Sequence, residues 1–214
     1  MSLDPRRHGI ITASAMDRVL GMSAAYIAEL IAQRAGTVEI VTGEERGPVS
    51  TEWGRKWEPA AIAAYELRTG STVERPGFLL HPEVEYVGGT PDGLVGADGG
   101  LEVKCPEDWG NHLITAASRL MPRQYVAQVQ AYLWITGRAW WDFVSFDPRC
   151  TVEELVILRI QPDRALHTTM ARRCAAVWEN VIAGRVPALH DIPTPGNVPL
   201  FFAPKQPKGE TDGR

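Results

Sequence analysis

Cysteine is scarce in this chain: Cys105, Cys150 and Cys174 stand far apart among 214 residues. An odd number at wide spacing writes neither a disulfide framework nor a CxxC metal clasp, and it cannot supply the four thiolates usual in an iron-sulfur centre. The three read as reduced thiols. An excess of positive charge is also missing, since 22 basic residues face 26 acidic ones for a net charge of −4. This excludes a surface coated in positive charge and confines any contact with nucleic acid to a local basic patch. No apolar run approaches the roughly 18 residues of a membrane span, and the first residues hold no apolar signal core. The expected location is the cytoplasm, with no membrane partner. His8, His81, His112, His167 and His190 show no metal-ligand spacing, and no internal repeat is visible.

What is present suffices for one folded unit. With 44% hydrophobic residues the chain can bury a sizeable core, and a single domain over residues 1–200 is expected, with a polar tail at 201–214 lacking fixed structure. Thr12-Ala13-Ser14 offers caps for a short helix ending at Gly21, and Ser23 can cap a second that Gly36 stops. Thr37 to Ser50 reads as a connection. Thr51 to Thr69 then reads as a helix with Trp53, Trp57, Ala60, Ala61 and Ala64 on one face. Short β-type segments follow at Val73–Leu80, Glu85–Gly88, Gly93–Gly96 and Leu101–Cys105, the last two joined as a hairpin through Asp98-Gly99-Gly100. After a helical segment of uncertain extent beyond Pro106, Pro122 and Gly137 frame a helix. Strands at Trp140–Phe146 and Glu154–Ile160 and a helix from Asp163 to Ala183 complete the order. The fold class expected is α/β, with a mixed, mainly antiparallel central sheet flanked by helices. Trp134, Trp140, Trp141, Phe143 and Phe146 read mostly as core rather than as base-stacking platforms.

The chemistry is concentrated in Thr90-Pro91-Asp92-Gly93-Leu94 and Glu102-Val103-Lys104, with nine residues between Asp92 and Glu102. Side chains two apart on a strand share a face, so Glu102 and Lys104 point together while Val103 points to the apolar side. The hairpin brings Asp92 alongside. Two adjacent carboxylates, with the Val103 carbonyl, make an all-oxygen site suited to Mg²⁺ or Mn²⁺ rather than zinc. Such an ion can activate water and stabilise charge on a phosphodiester oxygen. Lys104 can then either position or deprotonate that water, or place positive charge on the phosphate. Against this stands a bland reading, in which Asp92 starts a turn and Glu102 and Lys104 are a solvated pair. Leu101, Val103 and Cys105 count against it, because they place the charges on a strand of the core, where unpaired charge is costly.

Five segments resemble, in order, the phage lambda exonuclease and YqaJ-type viral recombinase family of the PD-(D/E)xK nuclease superfamily. They are residues 7–14, Trp53-Gly54-Arg55-Lys56-Trp57-Glu58, Thr90 to Leu94, Leu101 to Pro106, and Tyr125 to Gln130, and the similarity ends at Phe146-Asp147-Pro148. The resemblance implies a PD-(D/E)xK core and Mg²⁺-dependent 5′ to 3′ digestion of duplex DNA ends that leaves a 3′ single strand. It also implies a homotrimeric ring, a phage-type single-strand annealing protein as partner, and phage or prophage origin in a bacterial cytoplasm. Position by position, Asp92 and Glu102 match metal carboxylates, Lys104 the catalytic lysine, Glu58 an acidic residue near the metals and Gln128 a glutamine beside the site. Tyr132 shares the face of Gln128, one turn on. Arg7 and Ser14 match residues that hold a terminal 5′ phosphate, with Thr90 where the family can have serine. Thr51 and Glu52 do not reproduce the apolar residue that separates strands in the family. Arg55, Lys56, Arg119 and Arg123 are candidates for a basic channel. The alternatives to an exonuclease are a structure-specific or restriction-type endonuclease, and a non-catalytic DNA-end-binding module.

Overall fold

The computed structural model describes residues 4–37 and 49–188. A two-residue strand, β1 (Ile11–Thr12), leads through a 3-10 turn at Ala13–Ala15 into helix α1 (Met16–Leu20). Thr12 makes no side-chain cap there. Ser23 does cap the next helix, α2 (Ala24–Arg34), its hydroxyl accepting from the Tyr26 N–H, and Gly36 follows in the left-handed region. Helix α3 spans Val49–Thr69, two residues earlier than expected. Residues 38–48 of the expected connection and the whole 201–214 tail lie outside the described residues. On α3, Ala61 is buried and Trp53, Trp57 and Ala64 pack on the core, but Ala60 is exposed. Steps of four from Trp57 lead to Ala61 and Tyr65, which puts Ala60 about 100° off the buried line.

The strand expected from Val73 to Leu80 is instead two: β2 (Val73–Glu74) and β3 (Leu79–Leu80), in different sheets. Pro76 offers no N–H, and Gly77 sits at φ +73, so the ladder cannot run through. β4 (Val87–Gly89), β5 (Gly93–Val95) and β6 (Gly99–Lys104) follow. The β5–β6 hairpin forms as expected, but its turn is Gly96-Ala97-Asp98, with Gly96 at φ +55. Gly99 and Gly100 belong to the strand. A Cβ at Gly99 would lie 2.1 Å from the Trp140 ring and one at Gly100 2.2 Å from the Trp141 ring, so these glycines make room for tryptophan. The remaining elements are α4 (Trp109–Ser118), α5 (Arg123–Thr136), β7 (Trp140–Phe146), β8 (Leu155–Ile160) and α6 (Arg164–Ile182). Pro122 stands at the N-cap of α5 rather than inside its first turn, Gly137 closes that helix, and Asp163 caps α6.

The larger sheet has the order β2-β5-β6-β7-β8, with only the β6–β7 pair parallel, and the smaller has the order β1-β4-β3. Alternation on β7 assigns the layers. Trp141 and Phe143 face the core built with α1, α2, α5 and α6, whereas Val144 and Phe146 face the core under α3. The expected mixed, mainly antiparallel sheet between helices is therefore present, and β6 lies at its centre with a helix over each face. Trp141, Phe143 and Phe146 are buried, and Trp134 and Trp140 pack against the same cores.

Candidate active site

Strand β6 carries apolar Leu101 and Val103, with Cys105 just past its end, toward α3 and the charged pair Glu102 and Lys104 toward α5. Glu102 is 1% exposed, an expensive place for a carboxylate. One of its oxygens, Oε1, accepts from the Gln128 amide at 2.7 Å and also meets the Lys104 ammonium. The other, Oε2, is buried with no hydrogen-bond partner among the described residues. Asp92, just before β5, turns back so that its Oδ2 accepts the Val103 N–H at 2.7 Å. The N–H and C=O of one strand residue leave the same edge, so the Val103 carbonyl also faces the Asp92 side, where β5 pairs no further than Leu101.

The electrostatics follow from this crowding. Burial and then the charge of Asp92 push the Glu102 carboxyl up, to about 8. Asp92 is raised as well, burial outweighing Lys104 and the Val103 N–H. Burial works against the Lys104 ammonium, yet Glu102 and Asp92 outweigh it and hold that amine well above its ordinary range. Its Nζ lies 5.1 Å from the centre of the Tyr125 ring. Glu58, on α3, is raised by burial and by Asp92, and its Oε1 accepts from Arg75 at 3.0 Å. Among the described residues no three His, Cys, Asp or Glu side chains converge as a ready metal cage. The donors on hand are the two carboxylates and the carbonyl, all oxygen, a set of the kind that takes hard divalent cations completing their shell with water. An orphaned, buried carboxylate oxygen fits such an ion.

Asp92, Glu102, Val103, Lys104, Gln128 and Glu58 thus fall into one neighbourhood. Thr90 joins it through Tyr132, whose hydroxyl donates to the Thr90 carbonyl at 2.8 Å. Parallel pairing of Ile11 with Val87 and Thr12 with Gly88 sets Ser14 and Thr90 just past the ends of neighbouring strands, both exposed. The Arg7 guanidinium lies 5.8 Å from the centre of the Phe78 ring, and its charge reaches the Tyr132 hydroxyl. The candidate channel cations Arg55, Lys56, Arg119 and Arg123 are all exposed. Arg119 also pairs with both Glu153 oxygens at 2.8 Å. Reasoning from residue types missed Arg75 and Tyr125. Tyr125 was findable, because it lies one turn before Gln128. Arg75 follows a two-residue strand and carries no spacing signal.

Cys105, Cys150 and Cys174 are free thiols, and the buried His112 and His167 are engaged by Ser145 and Gln130. Residues 3–139 match the model of the YqaJ-like viral recombinase domain. An alkaline exonuclease, LHK-Exo, from Laribacter hongkongensis is 36% identical, with a TM-score of 0.75 over 83% of this chain and 90% of that one. The same protein in complex with dAMP gives 35% identity and a TM-score of 0.76 at the same coverage. A phage related exonuclease from Haemophilus somnus 129PT shares the fold at 16% identity, with a TM-score of 0.62 over 81% of this chain and 94% of that one. No curated protein matches significantly.

Proposed function

Since the chain belongs to the YqaJ-like viral recombinase domain family and is a nuclease of the phage exonuclease type, we propose that it is a Mg²⁺-dependent exonuclease. It digests one strand of linear duplex DNA from 5′ to 3′ and leaves a 3′ single-stranded overhang for annealing recombination. The observation that carries this reading is the buried Glu102 carboxylate, with one oxygen unpartnered, beside Asp92 and a charged Lys104. Asp92, Glu102 and the Val103 carbonyl hold the metal, with Mn²⁺ able to substitute. When bound, the ion supplies an activated water and stabilises charge on the phosphodiester.

The chain's own residues do the rest. Gln128 holds the Glu102 carboxylate by donating a side-chain N–H to Oε1, which leaves Oε2 for the ion. Lys104, paired with Glu102 on the same face of β6, serves as a cation toward the phosphate. Glu58 is the third carboxylate at the site, held at Arg75. Arg7, Ser14 and Thr90 receive the terminal 5′ phosphate, a guanidinium fork and hydroxyls being suited to it. The net negative chain is reconciled with a polyanionic substrate by a ring of three copies whose channel gathers Arg55, Lys56 and Arg123. The annealing partner is a phage-type single-strand annealing protein, and the setting is the host cytoplasm. No helix among the described residues is long and apolar enough to cross a membrane.

Digestion of a linear duplex labelled separately at each 5′ and each 3′ end, beside a closed circular duplex, tests this reading. The 5′ labels are expected to be released first, the circle to survive, and a chelator to stop the reaction. A cut circle, or early release of the 3′ labels, overturns it.

A further inference from the structure

One chain of hydrogen bonds crosses from the candidate metal site to the candidate phosphate site. Glu102 Oε1 accepts from Gln128 Nε2 at 2.7 Å, the same Nε2 donates to the Tyr132 hydroxyl at 3.4 Å, and that hydroxyl donates to the Thr90 carbonyl at 2.8 Å. The tyrosine cannot easily wander. It is 3% exposed and its ring stacks on Trp141 with centroids 5.3 Å apart. A Cβ at Gly89 would meet Tyr132 Cε1 at 2.7 Å and the Ala13 Cβ at 2.8 Å. Gly89 therefore has no room for a side chain because the 3-10 turn carrying Ser14, the strand end carrying Thr90 and the tyrosine ring close on one another there. The Arg7 charge is felt at the same hydroxyl.

We propose that Tyr132 is a positioning residue that ties the receptor for the terminal 5′ phosphate to the metal-binding carboxylate, so that end recognition sets which phosphodiester bond is cut. The inference rests on the phosphate reading given above. A single hydroxyl bonded at once to the Thr90 backbone and to the glutamine that orients Glu102 fixes the distance between the held end and the scissile bond. Without it, the two sites keep their own residues but lose their common register. The hydroxyl meets Gln128 and the Thr90 backbone, and its effect passes through these two.

Tyr132→Phe keeps the ring and removes the link. The measurement is initial rates on 5′-phosphoryl and 5′-hydroxyl linear duplexes for wild type, Tyr132→Phe and Arg7→Ala, with the lengths of the first products and Mn²⁺ calorimetry alongside. Wild type is expected to favour phosphorylated ends, and Arg7→Ala to lose that preference. In Tyr132→Phe the preference falls by about tenfold, mostly in kcat rather than KM, the first products spread over more than one length, and Mn²⁺ still binds. A merely structural tyrosine would lower both rates together and leave product length alone. If wild type discriminates and Tyr132→Phe discriminates equally, the inference is overturned while the phosphate pocket stands. If wild type does not discriminate between the ends, the pocket reading fails and takes the inference with it. Should Tyr132→Phe not fold, Gln128→Met breaks the same chain one bond away, and an unchanged preference in it overturns the proposal equally.

Discussion

Glu102 on β6 and Asp142 on β7 are both buried carboxylates of one sheet, on neighbouring strands and opposite faces. Asp142 is saturated. Its Oδ1 accepts from Arg159 Nε at 2.9 Å, and its Oδ2 accepts from Arg159 Nη2 and the Tyr65 hydroxyl, each at 2.8 Å, while the guanidinium lies over Trp140. Glu102 has a lysine and a glutamine crowded on one oxygen and, among the described residues, no hydrogen-bond partner on the other. Both clusters contain an acid and a base in a sheet interior, so charge burial alone does not mark a site. The difference lies in whether the polar groups are used up. A saturated cluster holds elements together, here α3 to β7 and β8, whereas an unsaturated one keeps capacity for a ligand.

The hardest break falls on the unsaturated side. Lys104→Ala is expected to lower kcat by roughly a thousandfold while Mn²⁺ and DNA still bind, because the lost cation acts on transition-state charge. Asp92→Asn should instead lose metal affinity. Calorimetric Mn²⁺ titration of both variants checks the division, and equal loss of metal binding in the two would overturn it.

Acid-base linkage gives the next effect. In the metal-free protein Glu102 keeps its proton up to about 8, against an ordinary value of 4.5, and Asp92 and Glu58 are raised too. The folded state thus binds more protons than the unfolded one across that window. Its stability is fully expressed below the unfolded value and is lost as pH rises through the folded one, by on the order of a few kcal/mol. Saturating Mn²⁺ should reverse the trend, since deprotonated carboxylates are what it binds. Thermal melts across the window with and without metal decide the matter. A metal-free melting temperature that rises steadily through it would contradict the raised carboxyls.

On the saturated side, Asp142→Asn should cost about 2 kcal/mol of stability, held to that size because Arg159 is itself half in water. Mn²⁺ affinity should stay within about twofold, the two clusters lying on opposite faces of the sheet. Denaturant melts and the same titration measure both. A variant with unchanged stability but weakened metal binding would mean that the roles of the two carboxylates have been exchanged.

The comparison also explains what could be read in advance. Asp92, Glu102 and Lys104 were legible because strand periodicity and a hairpin suffice to bring them together, and the saturating partners of Asp142 were not. Arg159 and Tyr65 meet it from a strand 17 residues later and a helix 77 residues earlier, and nothing local in sequence marks such pairs. Strongly periodic elements such as β7 and α5 were read nearly to the residue. The segment from Val73 to Leu80 was not, because Pro76 and Gly77 break it and send its two ends to different sheets. The glycines at 99 and 100 looked like turn residues, yet their reason for being glycine is the pair of tryptophans on the next strand.

Arg75 gives the smallest effect, and it separates an exposed ion pair from either buried cluster. Its guanidinium meets Glu58 Oε1 at 3.0 Å with 59% of its side chain exposed, so the pair itself contributes little, about 0 to 1 kcal/mol. Arg75→Ala should therefore barely move the melting temperature. The same positive charge acts on Asp92 as well as on Glu58, which means that it opposes an incoming cation. Removing it should tighten Mn²⁺ binding, by less than about tenfold and less at higher salt, because an exposed charge is screened. Glu58, no longer held, becomes free to turn toward the metal donors, which acts in the same direction. Titrations of the variant and of Glu58→Gln at two salt concentrations distinguish the two contributions, since only the field of Arg75 survives when Glu58 is neutral. If Arg75→Ala instead weakens Mn²⁺ binding, the arginine is needed to hold Glu58 where the metal meets it, and this cluster depends on its surface partner as Asp142 depends on Arg159.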